Sequence, residues 1–255
     1  MSSPEPQHTT TVVIPTYNEA ENVRVIVERV LGALATDVLI VDDSSPDGTG
    51  RIADEMAAAD GRVHVLHRPL ASGFAGAYRD GFMRAIEDGY ALIFQMDADG
   101  SHDPATLPVM RAALDGSDNI DGAATEGGCD LVIGSRYMSG GALENWPWFR
   151  RWLSNGGGIY ARLLLGVPVS DPTGGFKGWR ADLLKRIEPA TTQSEGYVFQ
   201  IETTLRALKA GARVQEVPIT FRERVAGTSK MSSAIIFEAA FRVLVMALRG
   251  GRYRG

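Results

Sequence analysis

Short apolar runs alternate with amphipathic stretches of helical length through the first half of this chain. That alternation restricts the fold more than any other feature of the sequence. Thr11-Val12-Val13-Ile14 is β-branched and stops at Pro15. Val38-Leu39-Ile40-Val41 is apolar throughout, as a strand covered on both faces would be. Val63–Leu66 and Tyr90–Phe94 read as a third and fourth strand. Between the first two, Val23, Ile26, Val27, Val30, Leu31 and Leu34 fall on one helical face, and Asn18 with Glu21 forms a capping pair in front. Helices are also expected up to Ala59 and over Gly73–Asp88, the latter with Phe74, Tyr78 and Phe82 on one face. Strands alternating with helices of this length predict βαβ units and an α/β fold with a mostly parallel central sheet.

In such sheets ligands bind beyond the carboxyl ends of the strands. Three polar clusters stand there: Pro15–Glu19, Asp42–Asp47 and Asp97–Asp99. The third belongs to Gln95-Met96-Asp97-Ala98-Asp99-Gly100-Ser101-His102-Asp103-Pro104. Hard divalent cations want oxygen ligands, and Mg²⁺ usually takes one or two carboxylates plus substrate phosphates. Taken alone, an Asp-x-Asp turn is equally a solvated loop that caps the next helix. Three acidic clusters on one edge favour a metal–nucleotide site. His102 is expected as a hydrogen-bonded turn residue, while His8, His64 and His67 lack acidic or cysteine partners at metal-ligand spacing.

The second half is less regular. Asp115–Gly128 reads as a polar surface insertion and Asp130–Gly134 as a fifth strand, leading into Ser135-Arg136-Tyr137. Glu144-Asn145-Trp146-Pro147-Trp148-Phe149-Arg150-Arg151-Trp152 interleaves tryptophan with arginine. It fits either a packing cluster under a loop or a rim at a lipid headgroup interface. Ser170–Phe176 is a glycine-rich loop, a phosphate cradle or a plain turn. Phe199–Ala210 is expected as a helix, Val214–Phe221 as a strand pair interrupted by Pro218, and Ser232–Leu248 as a final helix whose apolar surface calls for burial or a partner. Arg222, Arg224 and Lys230 surround Gly227-Thr228-Ser229, either as a solvated basic loop or as a clamp for negative oxygens.

Composition narrows the partners. The net charge of −5 over 255 residues argues against a broad nucleic-acid face. From Thr203 onward, ten Lys/Arg face three Asp/Glu, a balance suited to a solvated end or to anionic lipid. The single Cys129 rules out an internal disulfide and suits a reducing interior. Met1–Thr11 lacks the apolar core of a signal peptide, and Ala234–Leu248 is short for a membrane span and carries Glu238 and Arg242. The expected organisation is a disordered start over 1–10, a catalytic domain over 11–230, and a C-terminal helix with a basic tail over 231–255.

Several segments together resemble glycosyltransferase family 2, of the GT-A (Rossmann-like) fold, and within it the polyprenyl (dolichyl) phosphate mannose synthases. They are Val13–Glu19, Val41–Thr49, Met96–Asp99, Gly134–Tyr137, Glu144–Pro147, Glu216–Phe221 and Gly227–Lys230. The resemblance implies that Pro15, Tyr17, Glu19, Val41 and Asp43 hold the guanosine of GDP-mannose. Asp97 and Asp99, flanking Ala98, would bind Mg²⁺ or Mn²⁺ and through it the diphosphate. Ser101 stands where some relatives carry glutamine as a further ligand. Arg136, Arg150, Arg224 and Lys230 would grip donor or acceptor phosphate oxygens, with Ser135, Arg136 and Arg150 on the acceptor side.

The implied reaction moves mannose from GDP to a polyprenyl monophosphate with inversion. The acceptor phosphate is largely dianionic at neutral pH, so no general base is expected; Glu202 is the best candidate for one. Some relatives append transmembrane helices that this chain lacks. Peripheral attachment at the cytoplasmic face is therefore expected, through the tryptophan–arginine stretch, the basic end or an integral-membrane anchoring protein. Competing readings are a polyprenyl-phosphate glucosyltransferase using UDP-glucose, a non-catalytic nucleotide-binding module docked on a membrane protein, and a receiver domain, for which the chain is too long.

Overall fold

A computed structural model describes residues 8–71, 73–117, 127–144, 148–222, 233–251 and 253. Four parallel strands form one half of the main sheet: β1 (Thr10–Thr16), β2 (Asp37–Asp42), β3 (Val63–His67) and β4 (Leu92–Gln95). They are linked by α1 (Val23–Ala33), α2 (Thr49–Ala59) and α3 (Phe74–Glu87). Beyond β4 come α4 (Leu107–Asp115), β5 (Leu131–Ser135), β6 (Ala142–Glu144), α5 (Trp148–Leu165), β7 (Lys177–Arg180), α6 (Ala181–Ile187), α7 (Gly196–Lys209), β8 (Val214–Pro218), β9 (Thr220–Arg222) and α8 (Ser233–Met246). The sheet order is β3-β2-β1-β4-β7-β5-β8, and β6 pairs with β9 in a small second sheet.

The apolar runs are continuous because the sheet is covered on both faces. Val12, Ile14, Val38 and Ile40 join α1, α2 and α4 in one core. Their neighbours Val13, Leu39 and Val41 point the other way, into a core with Tyr78 and Phe82 of α3 and Phe199 of α7. Period-two alternation thus feeds two apolar layers. The chain first builds outward from β1 to β2 and β3, then α3 carries it back so that β4 pairs with the other side of β1. This reversal opens a crevice at the carboxyl ends of β1 and β4, where Pro15–Glu19 and Asp97–Asp99 lie.

Several local expectations give way. Asn18 does not cap α1: it adopts a left-handed conformation (φ 60°), and the helix begins at Val23 after the carbonyl of Glu19 accepts from the backbone N–H groups of Asn22 and Val23. The expected strand pair over Val214–Phe221 is two strands in different sheets, divided after Pro218. β7 interrupts the parallel order, running antiparallel to both β4 and β5. Thr10 opens β1 and His8 Nδ1 lies 2.7 Å from Asp37 Oδ1, while residues 1–7 of the expected start lie outside the described residues. His8 and His64 both face Asp37, at the amino end of β2 and away from the crevice, in a pairing that makes no metal-binding group among the described residues. His67 likewise meets Asp54, at 2.8 Å. Most of the expected insertion over Asp115–Gly128 lies outside the described residues.

Candidate active site

The Asp-x-Asp segment leaves β4 and folds back on itself. The backbone N–H of Asp97 donates to Nδ1 of His102 at 3.1 Å, and the N–H of Ser101 donates to Asp99 Oδ1 at 3.0 Å. Asp103 then caps the next turn by accepting from the N–H of Ala105, and pairs with Arg29 and Arg222. The hydrogen-bonded role expected for His102 is observed. Its ring stacks on Phe176 and meets Phe221 edge-on, and burial pushes its pKa down to about 4, so the imidazole is neutral. From the α3 side, Tyr78 donates its hydroxyl to Asp97 Oδ1 at 3.3 Å. Burial, reinforced by the charge of Asp97, holds that phenol well above its usual pKa.

These carboxylates suit a divalent cation shared with phosphates. Among the described residues, no group of three or more His, Cys, Asp or Glu side chains could hold a metal by themselves. Two carboxylates completed by substrate oxygens is the arrangement in which Mg²⁺ is usually held. The hydroxyl of Ser101 is buried without a hydrogen-bond partner, which is costly unless a ligand engages it. An orphaned oxygen two residues from Asp99 therefore fits Mg²⁺ or Mn²⁺.

At the ends of β1 and β2 the nucleoside-side candidates come together. Asp43 is nearly buried; its carboxylate pairs with Arg68 and accepts from the N–H of Gly73 at 2.8 Å, while its own N–H donates to the carbonyl of Thr16. Glu19 receives the side-chain amide of Asn22, and Tyr17 is exposed at the rim. Pro15 pairs in register with Val41. The Val41 side chain is wholly in the core, so any contact with a nucleoside runs through its backbone. Ala98 is also buried.

Arg136 follows β5 and is engaged before any substrate arrives. Its Nε and Nη2 donate to the two carboxylate oxygens of Asp171 at 2.7 and 2.8 Å, and Nη2 also donates to the hydroxyl of Thr173 at 2.8 Å. The rings of Tyr137 and Phe221 each lie 5.3 Å from the guanidinium carbon. Burial opposes the charge on Arg136, but Asp171 more than offsets it and holds the pKa above the ordinary value. Burial likewise opposes ionisation of Asp171, and Arg136 more than reverses that, holding its pKa below the usual range. Ser135 is buried with an unpartnered hydroxyl.

Two glycines connect the acidic and basic parts. A Cβ on Gly175 would stand 3.8 Å from both carboxylate oxygens of Asp97, and one on Gly174 would stand 3.5 Å from the carboxylate carbon of Asp171. Phe221 touches both His102 and Arg136. The glycine-rich loop is thus the seam between the metal candidates and the arginine fork. Glu216 fastens it, accepting from the backbone N–H groups of Ser170 at 2.7 Å and Asp171 at 3.0 Å.

The remaining candidates are placed less completely. Arg150 lies in the first turn of α5, with its side chain outside the described set; Arg224 and Lys230 lie outside the described residues, as do Trp146 and Pro147. Glu202 accepts from the N–H of Ser194 and from Arg206, which gives it a fastening role. Sequence reasoning missed the service performed by Asp171, Glu216 and Tyr78. It also missed Lys177, fully buried, whose ammonium donates to the carbonyl and side-chain oxygens of Gln200 and to Thr204.

The chain matches the family model described as Glycosyl transferase family 2 over residues 11–188. It is 47% identical over 247 residues to the polyprenol monophosphomannose synthase of Mycolicibacterium smegmatis, covering 96% of this chain and 89% of that one. It is 45% identical over 232 residues to the undecaprenyl-phosphate mannosyltransferase of Micrococcus luteus, covering 91% and 90% respectively. Among solved structures, a mannosyltransferase from Pyrobaculum calidifontis in complex with GDP-Man and Mn²⁺ superposes with a TM-score of 0.57 at 17% identity, covering 97% of this chain and 76% of that one.

Proposed function

Because the chain belongs to glycosyl transferase family 2, we propose that it moves mannose from GDP-mannose to a polyprenyl (dolichyl) monophosphate, giving the β-linked product by a single inverting displacement. Its fold is GT-A, with a mostly parallel central sheet. The observation that carries the reading is the meeting of acidic and basic groups at one loop: Asp97 beside Gly175, and the Arg136–Asp171 pair beside Gly174. The similarity to two enzymes named for mannosyl transfer to polyprenyl phosphates supports the choice of sugar and acceptor.

In this reading Asp97, Asp99 and the Ser101 hydroxyl hold Mg²⁺ or Mn²⁺. When bound, the cation offsets the charge that gathers on the departing diphosphate. Pro15, Tyr17, Glu19, Asp43 and the backbone of Val41 frame the guanosine. Ser135, Arg136 and Arg150 receive the acceptor phosphate, and Arg224 and Lys230 close on phosphate oxygens. A phosphate monoester, with a second pKa of about 6, attacks without losing a proton. A general base is then unnecessary, in keeping with the engagement of Glu202 by Ser194 and Arg206. The protein's task is to bring two anions together and to stabilise the leaving group electrostatically.

The acceptor is a lipid, and no helix among the described residues is long and apolar enough to cross a membrane. We infer peripheral attachment at the cytoplasmic face through α5 and α8. Trp152 (80% exposed) and Leu163 (72%) stand on one stripe of α5, with Phe241 (65%) on α8 and Leu248 (77%) in the π-helical turn Ala247–Gly251 that follows it. The two helices touch, with the Tyr160 hydroxyl donating to the carbonyl of Ala240.

The deciding assay supplies GDP-mannose and polyprenyl phosphate with and without EDTA. Mannosyl phospholipid should form and should vanish on chelation. Efficient use of UDP-glucose with none of GDP-mannose would reassign the sugar, and unchanged turnover in Asp97→Ala and Asp99→Ala would remove the metal assignment.

A further inference from the structure

An arginine side chain has five N–H donors in a rigid plane, and the way they are shared fixes what remains for a ligand. In Arg136, Nε is committed to Asp171, and both hydrogens of Nη2 are committed to Asp171 and Thr173. Nη1 makes no hydrogen bond to any described residue. Asp171 is itself wholly buried, and its two oxygens are held by the Arg136 side chain, the Arg136 backbone N–H at 3.1 Å and the Thr173 hydroxyl at 3.0 Å. Glu216, on β8, secures the backbone on which Asp171 sits. A chain of fixed contacts therefore runs from the sheet to one edge of a guanidinium.

We propose that Asp171 is a positioning residue. It locks the Arg136 fork so that its Nη1 edge alone is presented to phosphate oxygen, with Thr173 completing the lock. The inference rests on the mannosyl-transfer reading above. An arginine free to rotate would also bind phosphate, but as a mobile point charge. Locked in plane, it offers directed N–H groups whose alignment is set before the acceptor arrives, which serves the transition state more than the ground state. Pairing with a carboxylate also keeps the site from holding an acceptor dianion too tightly.

The test is a double-mutant cycle on full-length protein with GDP-mannose, a short-chain polyprenyl phosphate and Mn²⁺. Asp171→Asn should lower kcat about 30-fold while the acceptor KM stays level or falls, because the fork loses alignment and gains net positive charge. Arg136→Lys should lose a similar amount, and adding Asp171→Asn to it should cost less than about threefold more, since the lysine has no fork to hold. Thr173→Val, the milder variant, should cost kcat three- to tenfold and covers the case in which Asp171→Asn fails to fold. Losses that multiply in the double variant, or single variants with unchanged kcat, would overturn the positioning role and leave mannosyl transfer standing. A wild-type protein that makes no mannosyl phospholipid would remove both.

Discussion

The backbone N–H of Asp97 points at the unprotonated ring nitrogen of His102, 3.1 Å away, so the strand that delivers the first carboxylate is pinned by a side chain five residues further on. Because burial depresses the pKa of His102 to about 4, its Nδ1 remains an acceptor throughout the physiological range.

Removing that acceptor should loosen Asp97 without touching either carboxylate. His102→Ala should raise the Mn²⁺ concentration giving half-maximal rate by about 10- to 100-fold, the usual cost of losing a group that orients a ligand. His102→Asn, which keeps an acceptor atom, should recover part of the loss. A Mn²⁺ titration of initial rates measures both, and identical curves for wild type and His102→Ala would contradict the pinning role.

Lys177 places a cation between β4 and β5 with only neutral oxygens around its ammonium. Burial draws its pKa down from 10.5 to about 7. The folded state then holds fewer protons than the unfolded state between those two values, so folding stability rises with pH across that window and the penalty is complete below it. Urea unfolding of wild type and Lys177→Met at pH 7 and pH 9.5 should show wild type gaining relative to the variant at the higher pH. A difference between the two proteins that does not change with pH would mean that the ammonium is not disfavoured in the fold.

What the sequence could reveal divides along the same line as these two residues. The β-branched runs of β1 and β2, and the acidic turns beyond them, follow from local pattern because their burial is periodic. Lys177-Gly178-Trp179-Arg180 has no such pattern, with charges at both ends and a glycine inside, and becomes a strand only because β4 and β5 leave a gap for it. α5 contains Asn155 and three successive glycines from 156 to 158, each costing about 1 kcal/mol against alanine. Its helical form is supported by tertiary packing, with Ala161 and Leu165 in the core and α8 alongside, which no local rule supplies. The pairing of Arg136 with Asp171 joins positions 35 residues apart and was equally out of reach.

Gly178 marks how tightly β7 is fitted. A methyl group there would come within 2.4 Å of Phe94 Cε1 and 2.8 Å of Val132 Cγ1, in the middle of a sheet that cannot spread. Gly178→Ala should destabilise the fold by about 1–3 kcal/mol through overpacking. Guanidinium unfolding will report this as a lower midpoint with an unchanged slope. An undiminished midpoint would mean that Phe94 swings aside freely.

The exposed stripes of α5 and α8 carry the last prediction. Trp152, Ile159 and Leu163 recur at helical spacing along one side of α5, as do Phe241 and Leu244 of α8 with Leu248 in the π-helical turn after it, and all six are at least 38% exposed. A monomer in water gains nothing from two adjacent apolar stripes, whereas a bilayer surface would bury them and place a lipid-borne phosphate beside the protein. Transfer of a leucine- or phenylalanine-sized side chain out of water is worth about 1.5–3 kcal/mol, or roughly tenfold or more in partitioning for each residue. Leu163→Glu with Phe241→Glu should therefore abolish flotation with liposomes containing anionic lipid. It should also raise the apparent KM for long-chain polyprenyl phosphate in vesicles, while GDP-mannose binding and turnover of a short, water-soluble polyprenyl phosphate stay near wild type. Equal flotation of the double variant and wild type would exclude these stripes as the docking face. Failure of wild type to float at all would transfer the task to an integral-membrane partner.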